Sequence, residues 1–210
     1  MSFELLKKEL EYVSHKVYQK GYTQATGGNI SVRIPGTDQV LIKRSGVSLG
    51  EVSREDALII NLNGDVIEGQ GKPSKEIGFH LGIYQARSDV NAVVHCHPNY
   101  AVGYSCLGEE LPLPTVTARK ILGFVPCVEV APSGSTELAR YVTEAFEKYP
   151  DIKGVLMKDH GVCTVGSTLE VAYNMTDLLE ATAKQAYIVS QLKAIPSGLE
   201  DGKIPISSQK

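Results

Sequence analysis

Val93-Val94-His95-Cys96-His97-Pro98 is the stretch that decides both the predicted fold and the predicted site of this chain. Its apolar start predicts a short buried strand, which Pro98 would end because proline cannot donate to a sheet. Side chains alternate between the two faces of a strand, so His95 and His97 should point to the same side. Two imidazoles at a strand end can chelate a metal ion, although two hydrogen-bonded structural histidines would give the same pattern. The pair favours a metal site.

A third histidine, His160, lies in Lys158-Asp159-His160-Gly161, between two further apolar runs. We expect Gly161 to permit a sharp bend there. The sequence contains five histidines, and three at strand ends suit a three-imidazole metal site with one position left open for substrate. The other two, His15 and His80, fall within predicted helices. His80 either lines the site or packs beneath it.

Glu76 is the candidate acid/base. It lies in the first turn of a helix predicted over residues 75–87, with Ser74 as the N-cap. A carboxylate there could simply interact with the positive end of the helix dipole, and the residue alone leaves both interpretations open. The preceding Lys72-Pro73-Ser74-Lys75 places a hydroxyl, a cation and free backbone N–H groups at one helix end, which indicates an anion site suited to phosphate.

Two glycine-rich turns could complete this phosphate site. Thr26-Gly27-Gly28-Asn29 leads into a predicted strand, and Ser45-Gly46 follows another. Each turn alone is weak evidence, because glycine-rich turns usually only reverse the chain. Together with Ser74 they supply small residues, hydroxyl groups and exposed N–H groups, which are the groups that bind phosphate.

The apolar periodicity predicts helices and strands that mix without strict alternation, with frequent hairpins. We therefore expect an α/β fold of three layers, α/β/α, around a central mixed, largely antiparallel sheet. A single domain should cover residues 1–193, and 194–210 should form a flexible C-terminal tail. The predicted helices run through 3–17, 75–87, 136–148 and 168–192, and the strands through 30–33, 40–43, 57–62, 66–68, 92–96, 125–130, 154–157 and 162–165.

Composition narrows the classes of function. The 210 residues are 42% hydrophobic and carry a net charge of −3, without a basic stripe, which argues against nucleic acid as a partner. We expect no membrane span, because no apolar run is long enough, and no signal peptide at the charged N-terminus. The four cysteines are widely spaced and form no CxxC pair, so we expect free thiols in a reducing cytoplasm.

The order and spacing of these motifs resemble those of the class II aldolase/adducin family. That family includes sugar-phosphate aldolases such as those of L-fuculose 1-phosphate, a pentulose-phosphate epimerase, a dehydratase and a 3-oxo-tetronate 4-phosphate decarboxylase. The resemblance extends from about the first helix to the last. The matching motifs are Thr26-Gly27-Gly28-Asn29-Ile30-Ser31, Ser45-Gly46, Lys72-Pro73-Ser74-Lys75-Glu76, His95-Cys96-His97 and His160-Gly161.

The resemblance implies zinc, or another divalent metal such as Mn²⁺ or Co²⁺, held by His95, His97 and His160. It implies that Glu76 is the acid/base and also a metal ligand when substrate is absent. It further implies a phosphorylated sugar or keto-acid as substrate and a homotetramer with active sites between subunits. The phosphate-binding residues that it implies are Gly28, Asn29, Ser45, Gly46, Ser74 and Lys75.

Within the family, the preferred prediction is an aldolase that cleaves a phosphorylated ketose through a metal-stabilised enediolate. A decarboxylase of a phosphorylated keto-acid is the alternative, because Lys75 replaces a serine of the aldolase pattern and could hold a second anionic group. Residues 113–119 also lack the tyrosine that the aldolases use there. An epimerase is disfavoured, since epimerases usually carry Asp at the position of Glu76. Adducin-like, non-catalytic members lack the metal histidines, whereas this chain keeps them.

Overall fold

The computed structural model describes residues 3–195. Eight strands and six α-helices are present in this part of the chain. The strands are β1 (Asn29–Arg33), β2 (Gln39–Lys43), β3 (Ala57–Asn61), β4 (Val66–Glu68), β5 (Ala92–Cys96), β6 (Cys127–Val128), β7 (Gly154–Met157) and β8 (Gly161–Gly166). The helices are α1 (Phe3–Gln19), α2 (Ile77–Ala86), α3 (Asn99–Ser105), α4 (Val116–Ile121), α5 (Thr136–Lys148) and α6 (Leu169–Ala194).

All eight strands form one sheet in the order β4-β3-β2-β1-β5-β8-β7-β6. Every pair of neighbours is antiparallel except β6 and β7, which are parallel. The predicted mixed, largely antiparallel sheet is therefore confirmed. Short turns join β1 to β2, β3 to β4 and β7 to β8, whereas β5 pairs with β1 and β8 through long connections.

Helices cover both faces of the sheet, which confirms the three layers. Strand side chains alternate between two cores: Leu41 of β2 packs towards α1 and α6, whereas its neighbours Val40 and Ile42 pack towards α2 and α5. The central strands β5 and β7 are apolar over most of their length because both of their faces are buried, whereas the edge strand β4 is exposed. His95 on β5 contacts Phe79 of α2, so it faces the layer of α2 and α5.

The structure corrects several predicted boundaries. The helix predicted from residue 75 begins at Ile77, and Glu76 rather than Ser74 occupies its N-cap, with φ −93° and ψ 11°. Glu76 therefore precedes the first turn instead of lying in it. The strand predicted over 125–130 shortens to Cys127–Val128. Helices α3 and α4 were not predicted, because seven and six residues are too few to display a helical period.

None of the helices described within residues 3–195 is long and apolar enough to cross a lipid bilayer. The predicted flexible tail over 194–210 falls almost entirely on residues 196–210, which lie outside the described part of the chain.

Candidate functional site

The candidate site lies at one edge of the sheet, where the ends of β2, β5 and β7 meet the starts of β1 and β8. Antiparallel pairing produces this meeting. Asn29 pairs with His95, and Cys96 pairs with Val162, so the starts of β1 and β8 lie on either side of the end of β5. Residues far apart in the sequence are thereby brought to a single place.

The structure brings the three predicted ligand histidines together. His95, His97 and His160 each offer a ring nitrogen, and these nitrogens lie within 4.8 Å of one another. The ring centroids are 4.8 Å apart for His95 and His97, 5.0 Å for His95 and His160, and 5.4 Å for His97 and His160. His95 is fully buried, whereas His97 and His160 are half-buried and border a cavity of about 340 Å³.

Hydrogen bonding behind the His95 ring decides which nitrogen can bind a metal. Its Nδ1 lies 2.8 Å from the backbone oxygen of Val162, which can only accept, so Nδ1 carries the proton. The neutral ring therefore presents a lone pair at Nε2. That atom is buried, makes no hydrogen bond, and lies 3.2 Å from Oε2 of Glu76. Such a close contact between a lone pair and a carboxylate oxygen is repulsive unless a proton or a metal cation lies between the two atoms.

This donor set fits a divalent metal ion. Three imidazole nitrogens and one carboxylate are a ligand combination typical of zinc, and a backbone carbonyl behind a ligand imidazole is the usual way to fix its orientation. Manganese and cobalt accept the same donor types, so the ligands alone do not select the metal.

Glu76 is held from both sides of its carboxylate. Oε2 accepts a hydrogen bond of 2.9 Å from Nδ2 of Asn29, and Oε1 accepts one of 2.7 Å from the hydroxyl of Ser133. Oε1 also lies 3.2 Å from Nε2 of His160. The side chain thus points at the histidine cluster rather than along the axis of α2, which favours the acid/base interpretation over a simple interaction with the helix dipole.

The electrostatics of the cluster favour a neutral His97 and an ionised Glu76. Burial would raise the pKa of Glu76, but the close approach of His160 and His95, together with Ser133, lowers that pKa well below its usual range. Burial and then the neighbouring His95 and His160 lower the pKa of His97 to about 3. A neutral imidazole and an ionised carboxylate are the forms that bind a metal ion.

Gly161 is needed for space rather than for the bend that the sequence suggested. The left-handed residue of the turn between β7 and β8 is Asp159, at φ 56°. A Cβ atom on Gly161 would come within 2.6 Å of the Cys96 backbone oxygen and 2.7 Å of Cδ2 of His97. Glycine therefore allows the start of β8 to pass close to the ligand rings.

The predicted anion-binding residues border the same cavity. Gly28, with φ 75°, and Gly46, with φ 81°, adopt a left-handed backbone that favours glycine. The cavity is lined by Thr26, Gly27, Gly28, Asn29, Lys43, Ser45, Gly46, Ser74, Lys75, Glu76, His97, Ser133 and His160. Every predicted site residue is on this lining except His95, which lies buried behind it.

Two residues of the cavity wall were missed at the level of sequence. Lys43 ends β2 with 1% of its surface exposed, and its Nζ donates to the backbone oxygens of Thr26 and Val47. Burial lowers its pKa to about 8. Lys43 directly follows the apolar run of β2, so the sequence could have predicted a buried charge there. Lysine is almost never fully buried unless its charge has a partner. Ser133 stands in an irregular loop, and no sequence pattern marks it.

A second cavity, of about 470 Å³, lies between α3 and α6 and borders none of the histidines. Its walls are mainly aromatic and apolar, with Tyr100, Tyr104 and Tyr187 among them. It lacks the converging polar groups that mark the cavity beside Glu76, so the histidine site remains the candidate for chemistry.

Comparison with known proteins places these features in a family. The sequence profile described as "Class II Aldolase and Adducin N-terminal domain" matches residues 8–187. The chain is 37% identical over 177 residues to an L-fuculose phosphate aldolase of Methanococcus maripaludis, covering 84% of this chain and 93% of that protein. It is also 33% identical over 187 residues to a 3-oxo-tetronate 4-phosphate decarboxylase of Haemophilus influenzae, covering 86% and 87% of the two chains.

Solved structures agree in fold. An L-fuculose 1-phosphate aldolase superposes with a TM-score of 0.83 at 31% sequence identity, and the match covers 96% of this chain and 93% of that one. The predicted family resemblance is thus confirmed at the level of both sequence and fold.

Proposed function

Since the chain belongs to the class II aldolase and adducin family, we propose that it is a divalent-metal-dependent lyase that cleaves a carbon–carbon bond of a phosphorylated ketose. The observation that carries the proposal is the convergence of three imidazole nitrogens beside the Glu76 carboxylate, on the wall of a cavity that also holds phosphate-binding groups. The metal-binding residues and the anion-binding residues of that cavity would each hold a different part of the substrate.

The residues that would hold the metal are His95, His97 and His160, with Glu76 as a further ligand before substrate enters. The unpartnered Nε2 of His95 and the ionised state favoured for Glu76 support this assignment. A metal bound there, with zinc as the first candidate, would act as a Lewis acid on the substrate carbonyl.

Glu76 is the proposed acid/base. Its two oxygens are fixed by Asn29 and Ser133, so the carboxylate is held in one position on the cavity lining. From there it can transfer a proton to or from the carbon beside the substrate carbonyl. The hydrogen bonds from Asn29 and Ser133 limit the motion of the carboxylate. A catalytic group held in its reactive position increases the rate of reaction.

The phosphate of the substrate would bind to other residues that line the same cavity. The N–H groups of the Gly28-Asn29 turn and of Gly46, with the hydroxyls of Ser45 and Ser74, would supply donors, and Lys75 borders the same cavity. The buried ammonium of Lys43 adds a positive charge that flexible surface lysines could not place as firmly. Anchoring the phosphate there would fix the bond to be cleaved against Glu76.

A decarboxylase of a phosphorylated keto-acid is the second candidate, and one observation favours it. Lys75 is exposed on the cavity wall, where it could hold a substrate carboxylate. No tyrosine lines this cavity within residues 3–195, and Thr115, in the segment where the aldolases place one, caps α4 by accepting from the Ala118 N–H. A proton donor for a departing aldehyde would therefore have to come from elsewhere.

Family membership also supports proposals about assembly and location. We propose one catalytic domain over residues 1–193, a homotetramer with active sites between subunits, and a cytoplasmic location. The four cysteines are free in the structure, which is compatible with a reducing compartment. The metal histidines argue against a non-catalytic adducin-like role. Glu76, which stands where epimerases usually carry Asp, argues against an epimerase, and a dehydratase is a less favoured alternative.

The direct test is an assay of the zinc-loaded and chelator-treated protein on a panel of ketose 1-phosphates, including L-fuculose 1-phosphate, and phosphorylated keto-acids. We expect release of an aldehyde from a ketose phosphate by the zinc form, lost after chelation and restored by zinc. Release of carbon dioxide from a keto-acid instead would establish the second candidate. Failure of the zinc form on the entire panel would contradict both.

Lys75→Ser separates the two candidates further. If Lys75 holds a substrate carboxylate, its loss should raise KM for the keto-acid by about 10-fold or more, the effect of a charge-assisted hydrogen bond, with less change for a ketose phosphate. Lys72→Ser is the matched control, because Lys72 is an exposed neighbour that does not line the cavity. Equal effects of Lys75→Ser on both substrates would exclude the carboxylate role.

A further inference from the structure

A row of polar side chains connects α2 to β1 beneath the candidate site. Asn29 and Ser31 lie on one face of β1, because strand side chains repeat every second residue. Glu76, His80 and Tyr84 lie along one side of α2, because residues four apart stack on a helix. Four residues of helix rise about 6 Å and two residues of strand about 6.6 Å, so the two rows stay in register.

The contacts within this row form one continuous chain. Nδ2 of Asn29 donates to Oε2 of Glu76 at 2.9 Å and to the Ser74 hydroxyl at 3.1 Å. Nε2 of His80 bonds to Oδ1 of Asn29, and Nδ1 of His80 lies 2.7 Å from the Ser31 hydroxyl. The Ser31 hydroxyl is 2.8 Å from that of Tyr84. His80 is fully buried, and the proposed reaction makes no direct use of it.

Hydrogen-bond chemistry fixes the direction of every link. An ionised carboxylate can only accept, so the amide NH₂ of Asn29 must face Glu76 and its carbonyl must face His80. Nε2 of His80 is then the donor, which leaves Nδ1 of the neutral ring as an acceptor. Ser31 must donate to Nδ1, and the Tyr84 hydroxyl is left to donate to Ser31.

We propose that His80 is a positioning residue, locked in its neutral Nε2–H tautomer, that sets the amide orientation of Asn29 and through it the placement of the Glu76 carboxylate. The inference rests on the proposed function only where Glu76 is the acid/base. With the opposite tautomer, a bare Nε2 would face the Asn29 carbonyl, and the amide would turn its oxygen towards the carboxylate. Glu76 would then lose one of the two donors that hold it.

The surroundings of His80 support a fixed neutral ring. Burial lowers its pKa to about 3. Phe79 stacks against it with ring centroids 4.8 Å apart, which leaves the imidazole little freedom to turn. Asn29 also contacts Ser74, so one amide joins the acid/base to the anion-binding groups. A change at His80 should therefore alter the position of Glu76, although no hydrogen bond joins the two side chains directly.

Neutron crystallography of the zinc-loaded protein at neutral pH tests the proton positions without any assay. We expect deuterium on Nε2 of His80 and none on Nδ1, with the two amide deuterons of Asn29 facing Glu76 and Ser74. Deuterium on Nδ1, or a reversed Asn29 amide, would overturn the proposal. This result stands even if the panel of substrates gives no turnover, so it is separable from failure of the proposed function.

Paired variants test the consequence for catalysis, with whichever substrate the zinc-loaded wild type turns over. His80→Leu removes both links, and we expect kcat to fall by about 100-fold, as misplacement of a catalytic group does, with KM changing much less. Zinc content should stay at the wild-type level, because none of the three ligand histidines is altered. His80→Gln can still donate to Asn29, so it should recover about 10-fold or more of the lost kcat.

Thr176→Val is the matched control. It removes a buried hydrogen bond of 2.6 Å between Thr176 of α6 and Thr164 of β8, in the other helical layer. It should lower the melting temperature much as His80→Leu does, without the loss of kcat. A wild-type kcat in His80→Leu, or a kcat in His80→Gln as low as in His80→Leu, would mean that His80 only supports the fold.

Discussion

At the candidate metal site, the hydrogen bond made by one nitrogen of the His95 ring determines whether the other nitrogen can bind a metal. His95 donates from Nδ1 to the Val162 backbone oxygen, so Nε2 is the nitrogen that faces Glu76 and the other two histidines. Asn29 and Ser133 do the same for Glu76 by occupying one lone pair on each of its oxygens. The ligands are thus oriented by their partners before a metal or substrate arrives.

Glu76→Gln is expected to keep the shape of the acid/base but remove its capacity to transfer a proton. Turnover should fall by about 100- to 10,000-fold, the usual contribution of general acid–base catalysis. Zinc content, measured by elemental analysis, should be retained because the three histidines remain. Near-wild-type turnover by this variant would exclude Glu76 from the mechanism.

Lys43 gives a prediction about pH. Since burial lowers its pKa to about 8, the ammonium exists below that pH and is lost above it. We expect kcat/KM for a phosphorylated substrate to fall as the pH rises through about 8, because this quantity reports groups of the free enzyme. Lys43→Met should lower kcat/KM below pH 8 and lack this descending limb. A limb unchanged in Lys43→Met would assign it to another group.

The same shift predicts the pH dependence of stability. Lysine in an unfolded chain has a pKa of about 10.4, so between about pH 8 and 10 the unfolded state binds more protons than the folded state at this position. Stability should therefore rise over that interval in wild type relative to Lys43→Met, as measured by urea denaturation. The opposite trend would contradict the lowered pKa of Lys43.

The sequence predicted the strands of the site more accurately than the start of helix α2. The strands of the site were predictable because β1, β2 and β5 are short apolar runs bounded by turns, and alternation correctly placed His95 and His97 on one side. The start of α2 was predicted two residues early, since Ser74 resembles an N-cap although its hydroxyl accepts from the N–H of Glu76 within a turn before the helix. Local propensity could not resolve that difference.

Other parts of the site depend on tertiary packing. Ser133 reaches Glu76 only because the loop between β6 and α5 is folded over α2, and nothing within that loop specifies a partner 57 residues away. The link from His80 to Asn29 requires the register between α2 and β1, which the spacing within each element suggests but cannot fix. Pairing between elements, rather than residue type, supplies this information.

The turn between β7 and β8 provides a test at the level of an element. Gly161→Ala would place a methyl group against the His97 ring and the Cys96 backbone oxygen. We expect weaker zinc binding by about 10-fold or more, the scale on which ligand orientation matters, together with a lower melting temperature. Gly103→Ala is the matched control, because a Cβ atom there meets nothing within 4 Å. Wild-type zinc affinity in Gly161→Ala would contradict the close approach.

On the scale of the whole molecule, the sheet gathers the site from four separate parts of the sequence. The order β2-β1-β5-β8 places the residues after β2, before β1, at the end of β5 and before β8 along one edge. Helix α2 and the loop before α5 then add Glu76 and Ser133 from one helical layer. The site therefore exists only in the folded chain, so binding of a metal there should also stabilise the fold.

The most direct test of this account is the zinc content of purified, dialysed protein, measured by elemental analysis in wild type and in His95→Ala, His97→Ala and His15→Ala. His15 is the matched control, because it belongs to α1 and its Nε2 lies 2.8 Å from the Val52 backbone oxygen. We predict about one zinc per chain in wild type and His15→Ala, and loss of that zinc in the other two. Wild-type zinc content in His95→Ala and His97→Ala would contradict the proposed metal centre and the function built on it.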